Sequence, residues 1–283
     1  MLTAEQKNYI LSNAYIPEHC VGLMTYLSGG EPFLLDDYFC CCKKDWVILI
    51  GYPFERDFDV ANLECTIEKT KKQFHPRILS LITPELPSSI SKTCQESDSD
   101  HYYTLEVKSP VVRSVVRRNL KKARQALEFE RSGSMHKSHH VLMDEFVDRI
   151  NPPVRVKNLM SKIPGYVAQS DSAFVLNAWD CQNQLAAFYI IDLAASDFSN
   201  YIIGCYSKRN YVLGASDLLL DELIKLSDEF AKRYIHLGLG VNEGIRRFKS
   251  KWGAKPTRRY EMCELVLRKP SLIDTLLSLP KFG

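Results

Sequence analysis

The stretch HLGLGVNEGIRRFKSKWGAKP, residues 236–256, predicts a short strand that leads through two glycines into a helix. An apolar run of strand length ends at Gly238 and Gly240. Asn242 is a favourable helix N-cap and Gly253 a typical residue at a helix C-terminus, so we predict a helix between them. Because glycine has no side chain, the two glycines either let a ligand approach the backbone or ease packing and turn geometry.

The chain has 283 residues, a net charge of +3 and 45% hydrophobic residues. This length suffices for two domains of ordinary size, and the composition is that of a globular protein. No apolar run reaches the roughly 20 residues that a membrane span needs. Residues 1–19 lack the basic and apolar blocks of a signal peptide. We therefore expect a cytoplasmic protein with no membrane span.

Nine cysteines are present, of which Cys40, Cys41 and Cys42 are adjacent and the others are scattered singly without a CxxC pair. Adjacent residues of an extended segment point to opposite faces, so these three thiols do not converge on one metal ion. We expect reduced thiols that pack as small hydrophobic side chains, and neither disulfides nor a metal site.

Basic residues are concentrated in two segments. Residues 108–127 and residues 244–260 each carry seven basic residues and no acidic one, and the rest of the chain is net acidic. This distribution favours one or two surfaces that face an anion. The alternative is two solvated helix faces.

The order of predicted elements indicates two halves that each contain strands and helices. Residues 1–109 begin with a helix and a strand hairpin and include a Pro/Ser/Asp-rich loop over residues 84–100. Residues 110–283 begin with a basic helix that ends at residues 131–134, and end with a helix at residues 272–279. We predict an α/β (α+β) fold of two halves, 1–109 and 110–283, each with a mixed β-sheet flanked by helices.

Several motifs resemble those of a known family. GASDLLLDELI (residues 214–224) and the opening stretch look like the C-terminal module of the Fem-type, tandem-GNAT group of acyltransferases. Phe248 and Lys249 ahead of Gly253 match the Phe-Lys pair of that group, and RRNLKKA (residues 117–123) resembles its basic helix between the halves. The group includes aminoacyl-tRNA-dependent transferases of peptidoglycan synthesis. The resemblance implies two GNAT-like halves and the transfer of an acyl or aminoacyl group.

The resemblance also implies a donor site. Acyl-CoA-dependent GNAT enzymes bind the pyrophosphate of coenzyme A at an Arg/Gln-x-x-Gly-x-Gly/Ala loop before a helix, through backbone N–H groups. The matching segment here is Tyr211-Val-Leu-Gly214-Ala-Ser216, which keeps one glycine and has tyrosine in place of Arg/Gln. The candidate donor-binding residues are Lys208, Arg209, Gly214, Ala215, Ser216, Gly238, Gly240, Asn242 and Phe248. Acyl-CoA is the first donor candidate, and aminoacyl-tRNA is the alternative.

Lys249 and Tyr260 are the candidate catalytic residues. By the resemblance, Lys249 stabilises the acyl-transfer intermediate, since an ammonium group gives a charge-assisted hydrogen bond to an oxyanion. Tyr260 would serve as an acid. The alternatives are a surface lysine in a basic helix and a tyrosine that packs in a strand. Asp192, Asp217 and Glu243 are either general bases or capping and surface residues.

These observations predict an acyltransferase that moves an acyl or aminoacyl group from an activated donor to an amine-bearing small molecule or peptide. Under the aminoacyl-tRNA alternative, tRNA is a further partner. A non-catalytic GNAT-like binding module is the alternative from a different class, and the departures in the donor loop favour it.

Overall fold

The computed structural model describes residues 2–108 and 112–268. The helices in these residues are α1 (Ala4–Ser12), α2 (Val21–Ser28), α3 (Val60–Phe74), α4 (Ser88–Ser91), α5 (Ser114–Ala126), α6 (Lys137–Ile150), α7 (Val154–Gln169), α8 (Ala215–Glu229) and α9 (Glu243–Lys251). The strands are β1 (Glu31–Leu35), β2 (Tyr38–Lys43), β3 (Trp46–Ile50), β4 (Ile78–Thr83), β5 (Glu96–Glu106), β6 (Leu127–Ser132), β7 (Ala173–Asp180), β8 (Leu185–Asp192), β9 (Phe198–Tyr206), β10 (Tyr234–Leu239) and β11 (Lys255–Val266). A 3-10 turn, Pro17–His19, lies between α1 and α2. None of the described helices has the length and apolar character that crossing a membrane requires.

The chain divides into two compact units, each assembled from separated segments. Within the described residues, the first unit contains residues 2–6, 28–100 and 259–268. The second unit contains residues 7–27 and 101–258. β5 and β11 contribute residues to both units. The domain boundary at residue 109 stays a prediction.

The first unit contains a mixed sheet in the order β1-β2-β3-β4-β11. β3 and β4 run parallel and are connected through α3, whereas the other neighbours run antiparallel. α3 begins after the N-cap Asp59, whose carboxylate accepts a hydrogen bond from the backbone N of Asn62 at 2.9 Å. Leu63 and Ile67 of α3 are buried in the core with the sheet. The strand hairpin predicted here is confirmed by the pairing of β2 with β3.

The second unit contains a mixed sheet in the order β5-β10-β9-β8-β7-β6. Among these described strands, β9 and β10 are the parallel neighbours, and the other pairs run antiparallel. α8 connects β9 to β10. Parallel neighbours need such a connection, because the chain must return to the same end of the sheet before the second strand begins. The predicted α/β class, with a mixed sheet in each unit, is confirmed.

Helices cover both faces of the second sheet. On one face, α5 and α8 bury Val116, Ala123 and Leu219. On the other face, α6 and α7 bury Leu142 and Ile163 against phenylalanines of β8 and β9. Burial on both faces makes the sheet a closely packed frame that fixes the ends of its strands.

Two local predictions are wrong. The loop predicted over residues 84–100 contains α4 and the start of β5, where the polar run is the exposed end of a strand. The helix predicted to end at residues 131–134 ends at Ala126, and β6 follows it and pairs with β7. The start of β5 is polar throughout, and β6 alternates apolar and polar residues only over residues 127–130, directly after the helix, so neither segment has the longer alternation by which a sequence indicates a strand. The predicted helix at residues 272–279 lies outside the described residues.

The expectation of reduced cysteines is wrong for one pair. Cys94 and Cys263 form a disulfide, although 169 positions separate them in the sequence. The fold places Cys263 of β11 beside Cys94, and the spacing of the cysteines in the sequence does not indicate this contact. The other cysteines are free, and burial raises the pKa of Cys40 and of Cys41 to about 12. Those two thiols therefore pack as hydrophobic side chains, as predicted.

Candidate functional site

β9 and β10 pair in parallel at the start of both strands and then separate. The paired residues are Tyr234 with Phe198, Ile235 with Ser199, and His236 with Asn200. Beyond this point β9 continues to Tyr206 against β8, while β10 continues to Leu239 against β5. The diverging ends leave an opening between two neighbouring strands, which we call the strand opening.

Gly238 shapes the end of β10. Its φ is 70°, and the register between β10 and β5 shifts between His236 and Leu239, so a bulge lies here. A Cβ at Gly238 would meet no atom within 4 Å, so this position needs glycine for its backbone conformation and not for close packing. The space beside it is therefore open to a ligand. Gly240 is buried, and its N–H donates to the carbonyl oxygen of His101 at 3.2 Å.

Lys249 is a buried lysine directed at the end of β10. The predicted N-cap of its helix is confirmed, because the Asn242 side chain accepts a hydrogen bond from the backbone N of Ile245 at 3.0 Å. Lys249 is only 4% exposed, and its Nζ donates to the carbonyl oxygen of Leu239 at 2.5 Å. The same Nζ lies 5.3 Å from the centre of the Tyr103 ring. The alternative of a solvated surface lysine is therefore wrong.

A cavity of about 210 Å³ lies where α8 begins. Gly214 is the N-cap of α8 with φ 86°, and a Cβ there would stand 2.8 Å from the carbonyl oxygen of Asn119 on α5. Glycine is therefore required both by the backbone conformation and by the close approach of α5. The cavity lining brings together four of the predicted donor-site residues: Gly214, Ala215, Ser216 and Phe248.

Lys208 and Arg209 are the two predicted donor-site cations, and the structure places both outside this lining. Both are exposed in the loop after β9. The backbone N of Lys208 donates to a carboxylate oxygen of Glu145 on α6 at 2.7 Å. A role of these two side chains in binding the donor stays a prediction.

Asp217, in the first turn of α8, is a buried carboxylate that connects three helices. It accepts hydrogen bonds from Asn119 of α5 at 3.1 Å and from the indole of Trp252, just after α9, at 2.9 Å. Lys251 of α9 forms an ion pair with it at 2.7 Å. These partners occupy the carboxylate and argue against a role as general base. Asp217 and Lys251 are also the charged residues of the described cavity lining, so their charges cancel there.

The two basic segments of the sequence meet in the second unit. The backbone N of Arg113, at the start of α5, donates to the carbonyl oxygen of Lys251 at the end of α9 at 3.1 Å. We name as the basic surface the exposed basic residues of these two helices and the α5 N-cap: Arg113, Arg117, Arg118, Lys121, Lys122, Arg124, Arg246 and Arg247. The sequence alone does not reveal that the two segments are neighbours.

The remaining candidates are dispersed. Asp192 is buried and accepts hydrogen bonds from the hydroxyls of Tyr166 and Ser172, so it is part of a packed polar network. Glu243 is exposed in the first turn of α9. Tyr260 is buried on β11 and belongs to the first unit. Its role as an acid stays a prediction.

A polar cluster that the sequence candidates do not include reaches β10 through β5. Tyr102 donates from its hydroxyl to Oε2 of Glu18 at 2.7 Å, and its ring lies 4.9 Å from the ring of His236. Burial raises the pKa of Glu18 from 4.5 to about 7. The available sequence signal is weak: a single acidic residue in the short 3-10 turn between two helices.

His236 is a neutral histidine in this arrangement. Burial is the main cause that holds its pKa well below the usual value, and the positive charges of Lys249 and Arg258 act in the same direction. Its Nδ1 accepts a hydrogen bond from the backbone N of Gly238 at 3.2 Å. His236 therefore connects the Glu18 cluster to the bulge at the strand opening.

Solved structures share this fold over most of the chain. FemX has a TM-score of 0.62 at 11% identity, covering 92% of this chain and 96% of that chain. L-PGS from Bacillus licheniformis has a TM-score of 0.57 at 12% identity, covering 97% and 95%. A tandem GNAT protein from the clavulanic acid biosynthesis pathway has a TM-score of 0.53 at 8% identity, covering 94% and 96%. The predicted resemblance to GNAT-like, Fem-type tandem proteins is thus confirmed as a likeness of fold. No family model and no curated protein matches the chain.

Proposed function

We propose that this protein transfers an acyl or aminoacyl group from an activated donor to an amine. One observation carries the proposal: the strand opening is bordered by the Gly238 bulge and by the buried ammonium group of Lys249. Acyl transfer needs a donor held in place and hydrogen-bond donors directed at the developing oxyanion. The likeness of fold to FemX and to a tandem GNAT protein supports the same class of reaction.

Lys249 supplies the positive charge for this chemistry. An ammonium group has three N–H donors, and the hydrogen bond to the Leu239 carbonyl holds the group at the end of β10. A donor carbonyl bound in the strand opening would accept a further hydrogen bond from it. As the amine attacks, this oxygen gains negative charge and the hydrogen bond becomes stronger, which lowers the barrier. Tyr260 as the acid for the leaving group is a further part of the proposal.

Acyl-CoA is the first donor candidate, and the cavity at the start of α8 is where its pyrophosphate would bind. The backbone of Gly214, Ala215 and Ser216 lines that cavity at a helix N-terminus, which favours an anion. The charge of the lining does not favour a pyrophosphate, because Asp217 neutralises Lys251. The helix N-terminus at Gly214 therefore suits a pyrophosphate better than the charge of the lining does.

Aminoacyl-tRNA is the second donor candidate, and the basic surface favours it. A long polyanion gains affinity from many exposed lysines and arginines, whereas coenzyme A has few phosphates. The contact of Arg113 with Lys251 brings the two basic helices together beside the cavity that Lys251 lines. If the aminoacylated 3′ end of the tRNA entered the strand opening, the carbonyl group of its aminoacyl ester would then lie at Lys249.

The test offers the wild type two labelled donors, acetyl-CoA and a mixture of aminoacyl-tRNAs, with a panel of small amines and peptides. Mass spectrometry detects the amide product. We expect an amide from one donor, and a salt-dependent binding constant for tRNA if it is the donor. If neither donor binds while an unrelated metabolite does, both donor assignments fail. If a donor binds without transfer, and Lys249→Met leaves that binding intact, the chain is a binding module.

A further inference from the structure

We propose that Glu18 accepts the proton of the attacking amine, and that the amine enters the strand opening from the face of the sheet opposite Lys249. This inference rests on the proposed function and deepens it. It assigns a general base, for which the sequence candidates Asp192, Asp217 and Glu243 are unsuited by their partners or exposure.

The placement of Glu18 follows from two consecutive residues of β5. Successive side chains of a strand point to opposite faces, so Tyr102 and Tyr103 face opposite sides of the sheet. Tyr103 contacts the ammonium of Lys249, whereas the hydroxyl of Tyr102 donates to Glu18. Tyr102 is also in register with Leu239, whose carbonyl oxygen accepts from Lys249. Lys249 and Glu18 therefore approach the end of β10 from opposite faces of the sheet. Lys249 is placed for the donor carbonyl, and Glu18 is placed for the amine.

A second polar group at the opening suits an amine. Asn200 is paired with His236 at the last parallel rung before β9 and β10 separate. Asn200 is 1% exposed, and its Oδ1 has no hydrogen-bond partner in the described part of the chain. A buried acceptor without a partner is costly, and an amine N–H is a donor that satisfies it.

Asn200 and Glu18 border the same region. The side-chain nitrogen of Asn200 lies 4.0 Å from Sγ of Cys20, and Cys20 follows Glu18 by two positions and interacts with its charge. An amide oxygen and a carboxylate both accept hydrogen bonds, which is the combination that an amine needs. This pairing is the chemical reason to assign the region to the acceptor and not to the phosphate-bearing donor.

The protonation of Glu18 agrees with this role. Burial raises its pKa to about 7, while the hydrogen bond from Tyr102 acts in the opposite direction. The titratable groups of the region are Tyr102 on β5, His236 on β10, Asp192 on β8, Arg258, and His19 and Cys20 on the same segment as Glu18. A base whose pKa lies close to the working pH combines an adequate ionised fraction with a useful driving force for proton transfer.

The chemical step balances with these groups alone. The amine nitrogen forms a bond to the carbonyl carbon of the donor, and the bond from that carbon to the leaving sulfur or oxygen breaks. The electron pair of the broken bond goes to the leaving group. The proton lost by the amine nitrogen passes to the Glu18 carboxylate, which Tyr102 positions through its hydrogen bond to Oε2.

The first test needs no known donor or acceptor. A carbodiimide activates protonated carboxyl groups of the intact protein in the presence of labelled methylamine, and mass spectrometry locates the amides formed. We expect an amide at Glu18 whose yield falls as the pH rises through about 7. Tyr102→Phe removes a hydrogen bond that lowers this pKa, so the fall moves to higher pH. Exposed Glu243 serves as the reagent control. Labelling of Glu243 without any amide at Glu18 would overturn the proposal, because methylamine then does not reach the carboxyl group.

The second test uses transfer once a donor and an amine are known. We expect Glu18→Gln to lower kcat/KM by about 10²- to 10⁴-fold and to abolish the rise of the rate through neutral pH. Glu243→Gln is the matched control. Equal rates and pH profiles for Glu18→Gln and wild type overturn the role of Glu18 and leave the proposed function standing. If the wild type transfers nothing, the proposed function fails, and the methylamine result decides the amine site separately.

Discussion

The ammonium group of Lys249 donates a hydrogen bond of 2.5 Å to the carbonyl oxygen of Leu239, the last residue of β10. A buried cation must be paired, so this contact attaches α9 to a strand end that has left its parallel neighbour. The bulge at Gly238 lies one residue before Leu239 and lets the carbonyl face the lysine. One continuous stretch, β10 to α9, thus supplies one side of the strand opening and its cation, while β9 supplies the other side.

Replacement of Gly238 tests the bulge. We expect Gly238→Ala to lower the free energy of unfolding by about 1 to 2 kcal/mol, because φ of 70° is strained for a residue with a Cβ. The new methyl group has space, so the effect is conformational. Gly133→Ala is the control, since a Cβ there also meets no atom within 4 Å and its φ is not positive. Equal denaturant midpoints for the two variants would show that the bulge is not strained.

Replacement of Asp217 tests the junction of α5, α8 and α9. Asp217→Asn removes the charge of the buried carboxylate and leaves the largely buried ammonium group of Lys251 without its partner, so we expect a loss of about 3 kcal/mol of unfolding free energy. Asp221→Asn, one turn later and in more exposed ion pairs with Arg124 and Lys225, should cost less than about 1 kcal/mol.

The same Asp217→Asn change leaves Lys251 unneutralised in the cavity, so a coenzyme A ester should bind more tightly than to wild type. Unchanged coenzyme A binding in a folded variant would contradict the assignment of that cavity.

Cysteine counting tests the disulfide. Alkylation of the denatured, unreduced protein should modify the free cysteines Cys20, Cys40, Cys41, Cys42, Cys65, Cys181 and Cys205. After reduction Cys94 and Cys263 should react as well, which brings the total to all nine. Protein prepared under oxidising conditions that already shows nine reactive thiols would contradict the pairing.

Glu18 should make the stability fall as the pH rises. Its pKa is about 7 when folded against an ordinary 4.5, so the folded state holds this proton more tightly than the unfolded state. The stabilisation is fully present below about 4.5 and is lost as the pH rises through about 7. Unfolding free energies measured across this window should fall in the wild type relative to Glu18→Gln, with Glu243→Gln following the wild type. Parallel curves for wild type and Glu18→Gln would mean that the carboxyl group is not perturbed.

Local signals in the sequence were sufficient for much of the second unit. The N-cap of α9 is indicated by Asn242 alone, and α8 is indicated by leucines at helical spacing. The two glycines of the opening stretch left ligand approach and turn geometry open as alternatives, and the structure shows a bulge with positive φ at Gly238. The likeness of fold to GNAT-type structures followed from the order of these elements.

The features that escaped prediction depend on contacts distant in sequence. β6 follows α5 without a break and alternates over four residues only, so its pairing with β7 identifies it as a strand. Glu18 lies 84 positions from Tyr102, and nothing in the local sequence indicates that the two side chains meet. Lys208 and Arg209 lie outside the cavity lining for the converse reason, since nearness in sequence to Gly214 does not fix where their side chains lie.

The rate of amide formation by Lys249→Met tests the central claim most directly. The matched control is Lys255→Met, which removes an exposed lysine just beyond α9. With the donor and amine that the wild type uses, the proposed oxyanion role predicts a kcat lowered by about 10²- to 10³-fold for Lys249→Met and an unchanged kcat for the control. A folded Lys249→Met variant that forms the amide as fast as Lys255→Met would contradict it.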